Sequence, residues 1–139
     1  MRLVIDTNVF IYAFTTTTNP SCKSVINLIA ESPDKFKLRI PRTIIEEVRR
    51  NMIPESFQEF FGFISEITSI DEDFFVPFEI AFRYERGGLK TADAFIAAYA
   101  EWVGADILVT ENRHFLKHNP ELPFKVLTAD NCLKFNNKM

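Results

Sequence analysis

Five short apolar runs punctuate this chain, each too short for a helix, and the longer segments between them carry apolar residues at helical spacing. Arg2 to Ile5 is the first, a β-branched run that reads as a strand buried on both faces of a sheet. Phe36 to Ile40, Ile67 to Ile70, Ile107 to Val109 and Phe124 to Leu127 read as four more. Strand and helix in alternation, with no linker and no internal repeat, predict an α/β fold: a three-layer sandwich with a mostly parallel, about five-stranded sheet flanked by helices. The length of 139 residues is that of one ordinary domain, so residues 1–139 are expected to share one core.

The helical segments are marked by their stripes and their punctuation. After the apolar stretch Val9 to Phe14, Thr15-Thr16-Thr17-Thr18-Asn19-Pro20 reads as a polar loop, and Ser21 is placed to cap a helix striped by Val25, Leu28 and Ile29. Pro41 either stops the second strand or starts a helix carrying Ile44, Ile45, Val48 and Met52. Pro54 opens a phenylalanine-rich helix, and the acids Asp71, Glu72 and Asp73 precede another that ends near Gly87-Gly88. Thr91 to Trp102, alanine-rich and apolar nearly all round, is expected to be a central helix closed by Gly104.

Composition removes several function classes. A net charge of −3 gives no global attraction to a polyanion, so any nucleic-acid binding must be local or metal-mediated. The two cysteines, Cys22 and Cys132, have no Cys or His at ligand spacing, which argues against a zinc site or a disulfide framework and for buried or half-buried thiols. No apolar window reaches the length of a signal h-region or a membrane span, so a cytoplasmic protein with no membrane partner is expected. Fifteen phenylalanines against three tyrosines and one tryptophan point to core or subunit interface more than to base stacking.

In open parallel sheets functional groups collect beyond the carboxyl ends of the strands. Asp6 and the segment Thr110 to Asn112 stand at such ends, and Asp93 lies in the first turn of the alanine-rich helix. Each has a plain structural reading: Asp6 as a helix cap, Asp93 as an acid favoured in a first turn, Asn112 as a turn residue. Glu46 and Glu47 separate by phase, since successive helical residues turn by about 100°. With Ile44, Ile45, Val48 and Met52 marking the buried face, Glu46 points to solvent and Glu47 borders the core, within reach of a cleft at the sheet edge. Carboxylates brought together repel unless a cation neutralises them. An all-oxygen set suits Mg²⁺ or Mn²⁺, ions that hold phosphate oxygens and activate water, which points to phosphodiester hydrolysis.

Four segments carry a family resemblance: Val4-Ile5-Asp6-Thr7-Asn8, Glu47-Val48-Arg49-Arg50, Gly88-Leu89-Lys90-Thr91-Ala92-Asp93-Ala94-Phe95-Ile96 and Leu108-Val109-Thr110-Glu111-Asn112. In order and spacing the chain resembles the PIN-domain nucleases, which include the VapC-type toxins of toxin–antitoxin systems. The resemblance implies a five-stranded parallel sheet, a metal-dependent endoribonuclease, and Asp6, Glu47 and Asp93 as metal ligands. Asn112 falls where the family has a fourth, more variable acid; a neutral oxygen there weakens a second metal site, and adjacent Glu111 is a candidate substitute. Thr7, Asn8 and Thr110 are implied to orient the carboxylates or a water beside them, or simply to hold turns.

Arg49, Arg50, Lys90 and Arg113, with Arg86 and Lys117, flank the acids and are candidate RNA contacts on a local phosphate-binding rim. His114 and His118 are spaced as if for a metal but read as surface or RNA-contacting residues. The competing readings are an aspartate-nucleophile phosphatase, weakened because Asn8 stands where a second acid would act, and a non-catalytic binding module. Phe57, Phe60, Phe61 and Phe63 spread around more than one helix face, which predicts a homodimer and an apolar groove open to an antitoxin.

Overall fold

A computed structural model describes residues 1–15, 19–117 and 121–139. Its strands are β1 (Arg2–Ile5), β2 (Lys37–Pro41), β3 (Ile70–Asp71), β4 (Ile107–Val109) and β5 (Lys125–Leu127). The helices are α1 (Thr7–Thr15), α2 (Pro20–Glu31), α3 (Arg42–Arg50), α4 (Pro54–Ile67), α5 (Phe78–Arg86), α6 (Thr91–Trp102), α7 (Arg113–Lys117) and α8 (Ala129–Asn137), with a 3₁₀ turn at Asp73–Phe75. All strand pairs are parallel, in the order β3-β2-β1-β4-β5. The chain steps from β1 outward to β2 and β3, then crosses back to β4 and β5. With crossovers of one hand, that reversal sends α1 to α4 and α5 to α7 to opposite faces, and it leaves a switch point between the carboxyl ends of β1 and β4.

The central strands are buried on both sides: Leu3, Val4, Ile5, Ile107, Leu108 and Val109 are all at most 2% exposed. That explains why they read as continuous apolar runs without alternation. Helix α6 is buried along Ala94, Ile96, Ala97, Ala98, Tyr99 and Ala100, the central helix its composition foretold. Its end is a two-bond αL closure: Gly104 at φ +69 donates to Glu101, and Ala105 donates to Ala100. A residue with a side chain at Gly104 would be strained.

Several expectations shift. Ser21 is not the cap residue of α2, because Pro20 itself opens the helix and Asn19 stands at the cap position; a proline at the first turn is pre-set for the helix and needs no amide there. Thr15 belongs to α1, and residues 16–18 of the polar loop lie outside the described residues. The run Ile67 to Ile70 is not a strand throughout: Ile67 closes α4, and β3 is only Ile70–Asp71. Met52 lies beyond α3 but packs on the core with it.

The phenylalanines of α4 are mostly absorbed. Phe60 is fully buried, edge-on to Phe10 at 4.9 Å and to Phe14 at 5.7 Å, and Phe57 stacks on Phe61. The strongly exposed rings lie elsewhere, on the 3₁₀ turn and α5: Phe74, Phe75, Phe78 and Phe82 are 53–78% exposed. Cys22 and Cys132 are buried free thiols. Among the described residues no helix is long and apolar enough to cross a membrane.

Candidate active site

Asp6 leaves the carboxyl end of β1, and Thr110 leaves that of β4, on the two sides of the switch point. Both are buried, Thr110 completely. Asp6 Oδ1 accepts from the Thr7 backbone N–H at 2.8 Å, and Asp6 Oδ2 accepts from the Thr110 hydroxyl at 2.8 Å. The Thr7 hydroxyl donates in turn to Glu47 Oε2 at 2.6 Å. On the other side the Asn112 backbone N–H donates to Thr110 Oγ1 at 3.0 Å, while Asn112 Nδ2 donates to Asp93 Oδ1 at 3.2 Å. One unbroken hydrogen-bonded sequence thus runs Glu47, Thr7, Asp6, Thr110, Asn112, Asp93. It joins all three acids, each through a neutral donor.

Local structure explains each position. Ile44, Ile45 and Val48 hold α3 on the core, so Glu47 faces Thr7 at the start of α1, whereas Glu46 faces outward and pairs with Arg49 at 2.6 Å. Asp93 sits in the first turn of α6, where the positive end of the helix favours a carboxylate. The N-terminus of α3 lacks a cap of its own, since Pro41 has no side-chain acceptor. Asp73 supplies one from outside, accepting from the Thr43 backbone N–H at 3.0 Å and from the Thr43 hydroxyl. Beside it Glu72 pairs with Arg42 and Asp71 with Arg39, which completes a clamp on the β2–α3 junction. Sequence reasoning saw these acids only as a run before a helix. Their partners lie about thirty residues back, and no local pattern marks them.

Burial raises the Asp6 carboxyl above its ordinary value; hydrogen bonds from Thr110 and Thr7 oppose the shift, and the charges of Asp93 and Glu47 add to it. Among the described residues none of the three acids is ion-paired with a base, and no three Asp, Glu, His or Cys side chains form a ready-made metal cage. The site nevertheless fits a hard divalent cation in its chemistry. Its donors are oxygens, its enclosed carboxylate has no basic partner among the described residues, and neighbouring acids add charge of the same sign.

Glu111 is not part of the cluster. Its Oε1 accepts from the Ala129 backbone N–H at 3.1 Å and from the Cys22 thiol at 3.7 Å, which ties the β4 exit to α8 and α2. Burial and the Glu111 carboxylate push the Cys22 thiol up to about 12, so it stays protonated. Asn8 is exposed on α1. Arg50, Lys90 and Arg113 are exposed and carry no ion pair among the described residues, unlike Arg49; Arg86 lies over the Phe82 ring. His114 is exposed, and His118 lies outside the described residues.

The family model described as PIN domain matches residues 3–119. Among solved structures, VapBC2 from Rickettsia felis, bound to a DNA fragment from their promoter, superposes with a TM-score of 0.64 at 20% identity over 91% of this chain and 97% of that one. FitAcB from Neisseria gonorrhoeae gives 0.61 at 14% identity, over 91% of this chain and 97% of that one. At these identities the likeness is one of fold. No curated protein matches.

Proposed function

This chain belongs to the PIN domain family, whose members are nucleases, and from that premise we propose that it is a metal-dependent endoribonuclease acting through Asp6, Glu47 and Asp93. The observation that carries the reading is the single hydrogen-bonded sequence linking the three acids, with no basic side chain paired with them among the described residues. PIN-domain nucleases generally use divalent metals. Here Asp6, Glu47 and Asp93 would hold Mg²⁺ or Mn²⁺, which when bound supplies charge for the phosphate oxygens and for the attacking water.

The chain's own residues do the rest. Thr110 and the Thr7 amide fix the plane of the Asp6 carboxylate, and the Thr7 hydroxyl fixes Glu47. Arg50, Lys90 and Arg113 receive backbone phosphates from the rim, giving the acidic protein a local hold on RNA. By likeness to the VapBC2 and FitAcB complexes, the chain serves as the toxin of a toxin–antitoxin pair and docks an antitoxin chain. We further propose a homodimer through the exposed phenylalanines of the 3₁₀ turn and α5, in place of the α4 face. The deciding experiment is cleavage of RNA with EDTA and with Mn²⁺. Metal-dependent cleavage supports the reading, and equal cleavage under both conditions by pure protein sinks it.

A further inference from the structure

Both ends of the Asn112 amide are engaged. Its Oδ1 accepts from the His114 backbone N–H at 3.0 Å, at the start of α7, and its Nδ2 donates to Asp93 Oδ1 at 3.2 Å. The two ends cannot be exchanged. A flipped amide would set an NH₂ against the His114 N–H and a carbonyl oxygen against the Asp93 carboxylate. The oxygen that could serve a cation is therefore turned to a helix end, and the group turned to the acids is a donor.

We propose that Asn112 is a positioning residue that holds Asp93 in place, not a cation ligand, and that the site consequently takes one divalent cation per chain. This rests on reading the three acids as a metal-binding nuclease site. An aspartate at position 112 could keep the bond to His114 with one oxygen, but its other oxygen would then face Asp93. Two like charges at that separation repel unless a second cation lies between them. The residue at 112 thus sets how many cations the cluster accepts. It also couples the start of α7 to the start of α6, so the acid on one helix is placed by the loop that leaves β4.

Calorimetric titration of the metal-free chain with Mn²⁺ tests the count. Wild type is expected to bind one Mn²⁺, and Asn112→Asp two. Asn112→Ser keeps an oxygen for His114 but removes the NH₂, and it should weaken Mn²⁺ binding about tenfold with the count still one. In an Asp93→Asn background the same substitution should matter less than about twofold. A wild-type count of two, or unchanged affinity in Asn112→Ser, overturns the proposal. In metal-free protein, Asp93→Ala should move the Asn112 side-chain amide signals in a ¹⁵N spectrum and leave the His114 backbone amide in place. An unmoved Asn112 pair overturns the positioning role with or without metal. A wild-type chain that takes up no Mn²⁺ overturns the nuclease reading itself, and the amide signals then decide the Asn112–Asp93 contact independently.

Discussion

A carboxylate as enclosed as Asp6 ordinarily takes up a proton or finds a base, and among the described residues Asp6 has only hydroxyl and amide donors. Because its folded pKa lies above the ordinary 3.8, its charge opposes folding in the absence of metal. The penalty is absent below that ordinary value and grows as pH rises through the folded pKa. Asp6→Asn should therefore melt with wild type in acid and above it near neutrality when EDTA is present, and Mn²⁺ should shrink the gap. The fold tolerates the change, since the new amide can donate to Thr110 and still accept from Thr7. RNA cleavage should fall at least about a hundredfold, beyond what loss of an outer partner costs. Glu47→Gln should do the same while Glu46→Gln stays near wild type, measured at matched folded fraction; equal losses would show that α3 is turned differently in solution. That contrast was legible from helical phase alone, because three buried residues fix the face of α3. The direction of the Asn112 amide was not legible, since it depends on where the α7 N-terminus falls relative to Asp93.

At the scale of elements, α3 matters because it carries Glu47 and is capped from another segment. Asp73→Ala leaves the Thr43 N–H unsatisfied, and a lost cap costs about 1 kcal/mol, with 2 as an upper bound. Urea unfolding should show that loss, and cleavage at full folded population should drop several-fold as Glu47 loses its register. Asp73→Asn, which can still accept from the amide, should retain most of both. The strands β1 and β4 and the helix α6 were readable to the residue, because nothing interrupts their apolar runs and small-residue stripe. β3 was not readable. Two residues have no period, and Ile67, three residues after Ile64, continues the α4 stripe into the space where a strand was expected. The helix cap at Ser21 failed for a similar reason, a strong local signal displaced by a neighbouring proline.

For the whole molecule, the exposed rings Phe74, Phe75, Phe78 and Phe82 are the feature most at odds with a solitary protein. Each large ring can bury roughly 150–250 Å², and an ordinary stable interface needs roughly 800 Å² from each partner. Four rings supply much of that. Sedimentation equilibrium at micromolar concentration should give twice 16.1 kDa for wild type and 16.1 kDa for Phe78→Asp, with each protein remaining folded. A wild-type monomer free of aggregation would dismiss the dimer and leave the chemistry of the acids untouched. The same topology that builds the site also delays it. Asp6 and Thr110 are 104 residues apart in the chain, and β1 gains its β4 neighbour only when Ile107 to Val109 have been made. During synthesis Asp6 emerges before Thr110 and stays unplaced until the chain as far as β4 has followed. A chain with this strand order cannot close the edge that carries Asp6 until β4 has left the ribosome and paired beside β1.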